Sequence, residues 1–204
     1  MTLSIRSAGP DDAELVTCMI KLSMGELADY LFGVVNLSVN RILTGLFLMK
    51  GNRFSLDATD VAEREGGAVG SLISFPGWEI TRRNTMTGVG LFKLCGLLDF
   101  LRLAVRALSI AEGVESRRDE YYLADIAVTP DFQGRGIGSA LLAYAERKAE
   151  GVGLKKCSLI VDTENPSARR LYERFGYHVV FTKTYPGPAG NAHAGYHRMV
   201  KELV

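Results

Sequence analysis

Residues 121–150 read YYLADIAVTPDFQGRGIGSALLAYAERKAE and constrain the chain more than any other stretch. The run 121–128 is short, apolar and aromatic and stops at Thr129-Pro130. From Ser139 the apolar residues Leu141, Leu142, Ala145 and Ala149 recur at helical spacing. Strand, turn and helix therefore follow in that order. Between them lies Gln133-Gly134-Arg135-Gly136-Ile137-Gly138, whose alternate glycines remove each Cβ that would hold a ligand off the main chain. The first turn of a helix has N–H groups without intrahelical acceptors and carries the positive end of the helix dipole. A glycine-rich turn running into a helix makes a cradle for phosphate oxygens, so the ligand class expected here carries a pyrophosphate.

Spacing narrows the choice. A dinucleotide fingerprint places glycine at its first, third and sixth positions, but counting from Gly134 the sixth is Ser139 and from Gly136 it is Leu141. A P-loop requires Gly-Lys-Ser/Thr, and no lysine lies in the loop. Downstream, KCSLIVDT at 156–163 is a second β-rich run. It is followed by Glu164-Asn165-Pro166-Ser167, a short helical segment ARRLYERF, a stop at Gly176 and a strand YHVVFTK. Gln133, Gly136 and Gly138 fit the pattern Gln/Arg-x-x-Gly-x-Gly/Ala. Asn165, Leu171-Tyr172-Glu173 and Gly176-Tyr177 fit a second motif at the right distance. Together the two ordered motifs resemble the GNAT superfamily of acyl-coenzyme A-dependent N-acyltransferases. The resemblance covers 121–183 well, the N-terminal third loosely, and 79–118 not at all.

That resemblance implies a mixed α/β fold: a central, mostly antiparallel sheet with splayed fourth and fifth strands, flanked by helices. It implies acetyl-CoA as cosubstrate, with the main chain of Ile126, Ala127 and Val128 pairing with the pantetheine amides. Gln133, Gly134, Arg135, Gly136, Ile137, Gly138 and Ser139 would surround the pyrophosphate, and Asn165 would hydrogen-bond the pantetheine arm. Tyr172 is the general acid expected for the departing thiolate: a phenol with a reference pKa near 10 stays protonated beside a thiol at about 8.5. An acceptor amine is largely protonated at neutral pH, so a base is needed. Glu120 leads, because a period of two puts it on one face with Tyr122, Ala124 and Ile126 and some N-terminal acetyltransferases of the superfamily carry a Glu there. Asp125, on the opposite face, and Asp119 compete, and a plain solvated charge run at 115–120 is the other reading.

Composition excludes several classes. A chain of 204 residues with 47% hydrophobic and 23% charged residues is expected to fold as one globular domain. A net charge of +1 provides no electrostatic reason to expect nucleic acid. Three cysteines at unrelated spacings argue against a disulfide framework or a metal site. The start MTLSIR lacks the charged and apolar regions of a signal peptide, so a cytoplasmic enzyme is the expectation. No cysteine has a recognisable His partner, which favours direct attack in a ternary complex over a covalent intermediate.

The N-terminal third reads as a strand at 2–7, a helix start at Gly9-Pro10-Asp11-Asp12 with a helix to about Leu31, and a second helix at 37–49. By resemblance these helices border the acceptor groove, with Tyr30 and Phe32 facing substrate. A hairpin over 60–65 and 68–75 turns at Gly66-Gly67. The insert at 79–118 is longer than a hairpin link requires. Lys93, Asp99, Arg102 and Arg106 interrupt it too often for a membrane span. Leu94, Leu98, Leu101, Val105 and Leu108 share one stripe of an amphipathic helix. Extra core, a lid over the acceptor site, a homodimer contact and membrane-surface contact all stay open for it. A loop at 185–191 precedes a last strand at 196–200 and, by resemblance, borders the acceptor site. The function expected is acetyl transfer from acetyl-CoA to an unidentified primary amine; a non-catalytic acyl-CoA-binding module is the alternative.

Overall fold

The computed structural model describes residues 3–33, 35–64, 66–110, 115–185 and 194–203. Along the chain run β1 (Ser4–Ser7), α1 (Ala13–Met24), α2 (Glu26–Phe32), α3 (Val39–Leu48), β2 (Thr59–Arg64), β3 (Gly67–Pro76) and α4 (Ile80–Ile110). Then follow β4 (Tyr121–Val128), α5 (Ile137–Gly151), β5 (Lys156–Asp162), α6 (Pro166–Arg174), β6 (His178–Tyr185) and β7 (Ala194–Glu202). The strands form one seven-stranded sheet in the order β1-β2-β3-β4-β5-β7-β6. Every pair is antiparallel except β4 with β5. The expected mixed, mostly antiparallel sheet is what forms. Of the loop expected at 185–191, Tyr185 ends β6 and residues 186–191 lie outside the described residues.

Each face of the sheet carries its own apolar layer. Ile137, Leu141, Leu142, Ala145 and Ala149 of α5 are buried against Leu72, Tyr121, Leu123 and Leu159. Val16 and Ile20 of α1 and Ile42, Leu43, Leu46 and Phe47 of α3 close the other face over Ile73, Phe75 and Tyr122. Full burial of each leucine or isoleucine contributes roughly 1.5–3 kcal/mol, so these two stripes fix which side of the sheet each helix covers. Local signals set the helix ends: Ser38 Oγ accepts from Arg41 N, and Asn165 Oδ1 accepts from Ala168 N with Pro166 next in line. The helix expected to run to about Leu31 is instead divided at Gly25, whose φ of 51° and ψ of −135° are not helical.

Two features of β4 position the site. First, β5 pairs with it only from Tyr121 to Leu123, after which β5 stays with β7 and β4 with β3. Among the described residues the edge of β4 from Ala124 to Val128 that faces β5 therefore has no strand partner, and a notch opens between the two strands. Second, Ile73 pairs with Asp125 while Ser74 pairs with Leu123, which makes Ala124 the extra residue of a β-bulge. A one-residue slip transfers every later side chain to the other face. Ile126 and Val128 consequently pack with Tyr121 and Leu123 on the α5 side. Asp125 joins Tyr122 and Ala124 on the α1 side, where Ser23 Oγ donates to its Oδ2. The period-two expectation that grouped Ile126 with Tyr122 and set Asp125 opposite them fails for this reason.

The insert differs from its expected form as well. α4 begins at Ile80 and is broken at Gly96, whose φ of 77° and ψ of 176° end one helical run and start another. It docks through Leu91, Leu94, Cys95 and Leu103, with Asp99 buried beneath it. The rest of the expected stripe, Leu98, Leu101, Val105 and Leu108, points outward at 74%, 50%, 69% and 74% exposure. Those residues are not extra core. Among the described residues no helix is long and apolar enough to cross a membrane.

Candidate active site

The cradle expected from the glycine loop is present at the end of β4. A short 3-10 turn over Pro130–Phe132 leads from the strand, and Gln133 Nε2 donates back to the Val128 carbonyl at 3.1 Å. Arg135 stacks on the Phe132 ring at 5.1 Å. Gly136, at φ 81°, is the residue that caps α5, and its carbonyl receives the first helical bond from Ala140 N. No side chain caps this helix start. The N–H groups of Ile137, Gly138 and Ser139 thus lie in the first turn without intrahelical acceptors. A Cβ added at Gly134 or Gly136 would meet nothing within 4 Å, whereas one at Gly138 would press on Leu171 at 3.2 Å. The arrangement fits a pyrophosphate outside the loop and a tight approach of α6 behind it. The unpartnered edge of Ala124–Val128, including the backbones of Ile126, Ala127 and Val128, fits an extended amide-bearing arm such as pantetheine lying as an added strand.

Two ionisable side chains lie near this edge: Asp125 is bonded by Ser23 of α1, and Tyr172, 8% exposed, belongs to the apolar layer on the α5 side. Burial pushes the Asp125 carboxyl up to about 7, against opposing pulls from the Ser23 hydrogen bond and the Arg53 charge. Its Oδ1 is buried without a hydrogen-bond partner among the described residues. Burial also raises the Tyr172 phenol above its ordinary value, and the Asp125 charge raises it further. The two groups are therefore close enough to feel one another. The Tyr172 ring is held edge-on to Tyr177 at 6.2 Å. Asn165 sits beside α6 with its carbonyl oxygen committed to the Ala168 N cap, leaving the amide NH2 as its donor.

Glu120 occupies a different environment. It is 3% exposed just before β4, and Arg198 Nη2 of β7 donates to both carboxylate oxygens. Arg117 N donates to its Oε2 at 2.8 Å, as does Ser116 Oγ at 3.3 Å. Burial alone would raise this carboxyl, but the bonds from Arg198 and Arg117 hold it below the usual range. The structure does not bring Glu120 to the notch with Asp125. Of the expected solvated run at 115–120, Arg117, Arg118 and Asp119 are exposed, whereas Glu115 pairs with Arg53 at 3.0 Å and Ser116 is buried with Glu120. That ion pair also contacts the buried Tyr122 phenol. Asp119 is an exposed partner of Lys156 at 3.3 Å.

Sequence reasoning missed Arg53 and Arg198, the cations that set these carboxylates apart. They lie 72 and 73 positions from Asp125, with no motif to flag them. Of the expected acceptor-side aromatics, Phe32 is core at 4% exposure and Tyr30 lies under the Arg106 guanidinium at 4.9 Å. Burial pushes the Cys157 thiol up to about 12, which disfavours a thiolate nucleophile there.

A model of the acetyltransferase (GNAT) family matches residues 52–177. Over 63 residues the chain is 41% identical to a mycothiol acetyltransferase of Streptomyces coelicolor, covering 31% of this chain and 20% of that protein. Over 72 residues it is 35% identical to an acetyltransferase of Pectobacterium atrosepticum, covering 35% of this chain and 50% of that one. The matched stretches thus span half or less of the length of these curated relatives. Among solved structures, a crystal structure of an acetyltransferase superposes with a TM-score of 0.69 at 25% identity, covering 98% of this chain and 100% of that one. An N-acetyltransferase from Staphylococcus aureus Mu50 has the same fold, with a TM-score of 0.72 at 21% identity and coverage of 97% and 99%. The family match takes in β2 through α6, the glycine cradle, the notch and Tyr172 included, and the chain belongs to the acetyltransferase (GNAT) family.

Proposed function

We propose that the protein is an N-acetyltransferase that moves the acetyl group of acetyl-CoA to a primary amine by direct attack in a ternary complex. Asp125 acts as general base and Tyr172 as general acid. The observation that carries the reading is the Asp125 carboxylate on the strand whose outer edge β5 leaves, with a buried Oδ1 that has no hydrogen-bond partner among the described residues and a charge that acts on the buried Tyr172 phenol. A base whose pKa lies near the working pH transfers protons most effectively, and Asp125 meets that condition where Glu120 does not. Glu120 serves in this reading as a positioning group that ties the start of β4 to β7.

The amine nitrogen attacks the thioester carbon, forming the C–N bond. Asp125 receives the proton that the nitrogen sheds. Backbone N–H groups on the free edge of β4 face the developing oxyanion. When the C–S bond breaks, the sulfur takes its proton from the Tyr172 hydroxyl, which solvent then reprotonates. Arg135 and the first turn of α5 hold the pyrophosphate, and Gln133 keeps the loop against β4.

Isothermal titration with acetyl-CoA and with acetyl-pantetheine tests the cofactor half, and thiol release over a panel of primary amines tests the transfer. Binding that needs the pyrophosphate and is lost in Gly136→Glu, together with turnover lost in Asp125→Asn, is the expected outcome. Binding without turnover on any amine would leave a non-catalytic acyl-CoA module.

A further inference from the structure

We propose that His197 is a positioning residue: through Arg169 it holds α6, and with it Asn165 and Tyr172, where the acetyl-CoA site needs them. The inference rests on the cofactor reading given above. Three parts of that site depend on this one short helix. Leu171 packs behind the cradle, where a Cβ at Gly138 would meet it at 3.2 Å, Asn165 caps the helix, and Tyr172 supplies its phenol. Yet of the nine residues of α6 only Tyr172 is buried. Ala168, Leu171 and Phe175 complete a single stripe against the α5-side layer. A helix seated on one stripe rolls about it unless a second contact stops it.

The second contact is polar. Arg169 lies beside the stripe, and its Nη1 is 3.2 Å from His197 Nε2, while His197 Nδ1 is 2.9 Å from Thr182 Oγ1 on the edge strand β6. A guanidinium only donates, so Nε2 is the bare nitrogen and accepts from Arg169. The ring proton is then on Nδ1 and is donated to Thr182, which fixes the tautomer. The imidazole itself is anchored in the sheet. His197 pairs with Val161 of β5 and with Thr182 of β6, and Met199, two residues on, is fully buried on the same face. Glu173 holds Arg169 Nε at 2.8 Å, so the guanidinium presents Nη1 to the strand. Neutral His197 is thus a fixed acceptor that stops α6 from rolling. Without it, the Asn165 amide and the Tyr172 phenol lose their register with the pantetheine arm.

Calorimetry of the full chain with acetyl-CoA tests the inference. His197→Leu should raise the Kd roughly fivefold, the scale of one partly exposed hydrogen bond, at unchanged stoichiometry. A variant that merely folds less well would instead lose binding-competent protein at an unchanged Kd. His197→Gln, whose amide oxygen replaces Nε2 as acceptor, should restore the parent Kd. Arg169→Met should match His197→Leu, and the double variant should bind no worse than either single one, because all three remove the same bond. Long-range proton–nitrogen correlation spectra should show His197 Nε2 bare and Nδ1 protonated. With the parent binding acetyl-CoA, an unchanged Kd in His197→Leu, additive losses in the double variant or a proton on Nε2 would overturn the inference alone. A parent that binds no acetyl-CoA would sink the cofactor reading, and the inference with it.

Discussion

Two carboxylates five residues apart, one just before β4 and one beside its bulge, have opposite surroundings. At its start, Glu120 is locked between Arg198 and the Arg117 amide and is held ionised; at its bulge, Asp125 has only Ser23 and a more distant Arg53, and burial drives it toward the neutral form. A side chain fully engaged by a fixed cation is a structural tie. One that burial leaves poised near neutrality, with its charge acting on a buried phenol, is suited to moving a proton. Partner, not residue type or strand, divides the roles.

The division breaks most directly at Asp125. Asp125→Asn should lower kcat by roughly 10²–10⁴-fold while acetyl-CoA affinity, read by calorimetry, stays within a factor of two or so. An equal loss in Glu120→Gln with Asp125→Asn unaffected would reverse the assignment. At the other end, Arg198→Met leaves Glu120 buried without its cation and should cost about 3–5 kcal/mol in urea unfolding. Arg198→Met with Glu120→Leu should recover much of that, because the apolar pair removes the stranded charge. Across the notch, Tyr172→Phe should lower kcat by on the order of 10²-fold and leave the fold intact, because the hydroxyl makes no hydrogen bond among the described residues and the ring packing against Tyr177 is retained. A slower product-release step that hides this loss would show as a burst of free thiol.

The geometry of the glycine turn was readable in the sequence because it is local: Gly134 and Gly136 take positive φ between β4 and α5, and Asn165 and Tyr172 follow at fixed distance as the cap and a buried residue of α6. The surroundings of the carboxylates were not. Which face Asp125 occupies depends on a bulge at Ala124, and a bulge is a property of the register with β3, not of the β4 sequence. Glu120 read as a base or as part of a solvated charge run, not as an ion pair, because its partner comes from β7, the last strand of the chain. The helix of 80–110 teaches the same point in reverse. Its apolar stripe was readable, but a stripe does not say whether it faces the core, and here the packed side is the one with Asp99 and Leu103.

The smallest effect separates the two carboxylates by stability alone, without any substrate. Asp125 has a folded pKa of about 7 against an unfolded reference near 3.9, so the native state holds its proton more tightly than the unfolded chain does. Its contribution to stability therefore falls as pH rises from about 4 to about 7 and stays low above that. Glu120, held below its reference, contributes in the opposite sense: its share is present above about pH 4.3 and is lost as pH falls through its lowered folded value. Asp125→Asn should accordingly stabilise the protein at pH 8, by roughly 2 kcal/mol. That is less than the full 1.36 kcal/mol per pKa unit, because the residue keeps part of its contact with solvent. The gain should shrink toward zero as pH approaches about 4. Thermal denaturation of both proteins across that range reads the difference directly, and a variant less stable than the parent at pH 8 would mean that the carboxylate is a structural partner at this end of the strand too.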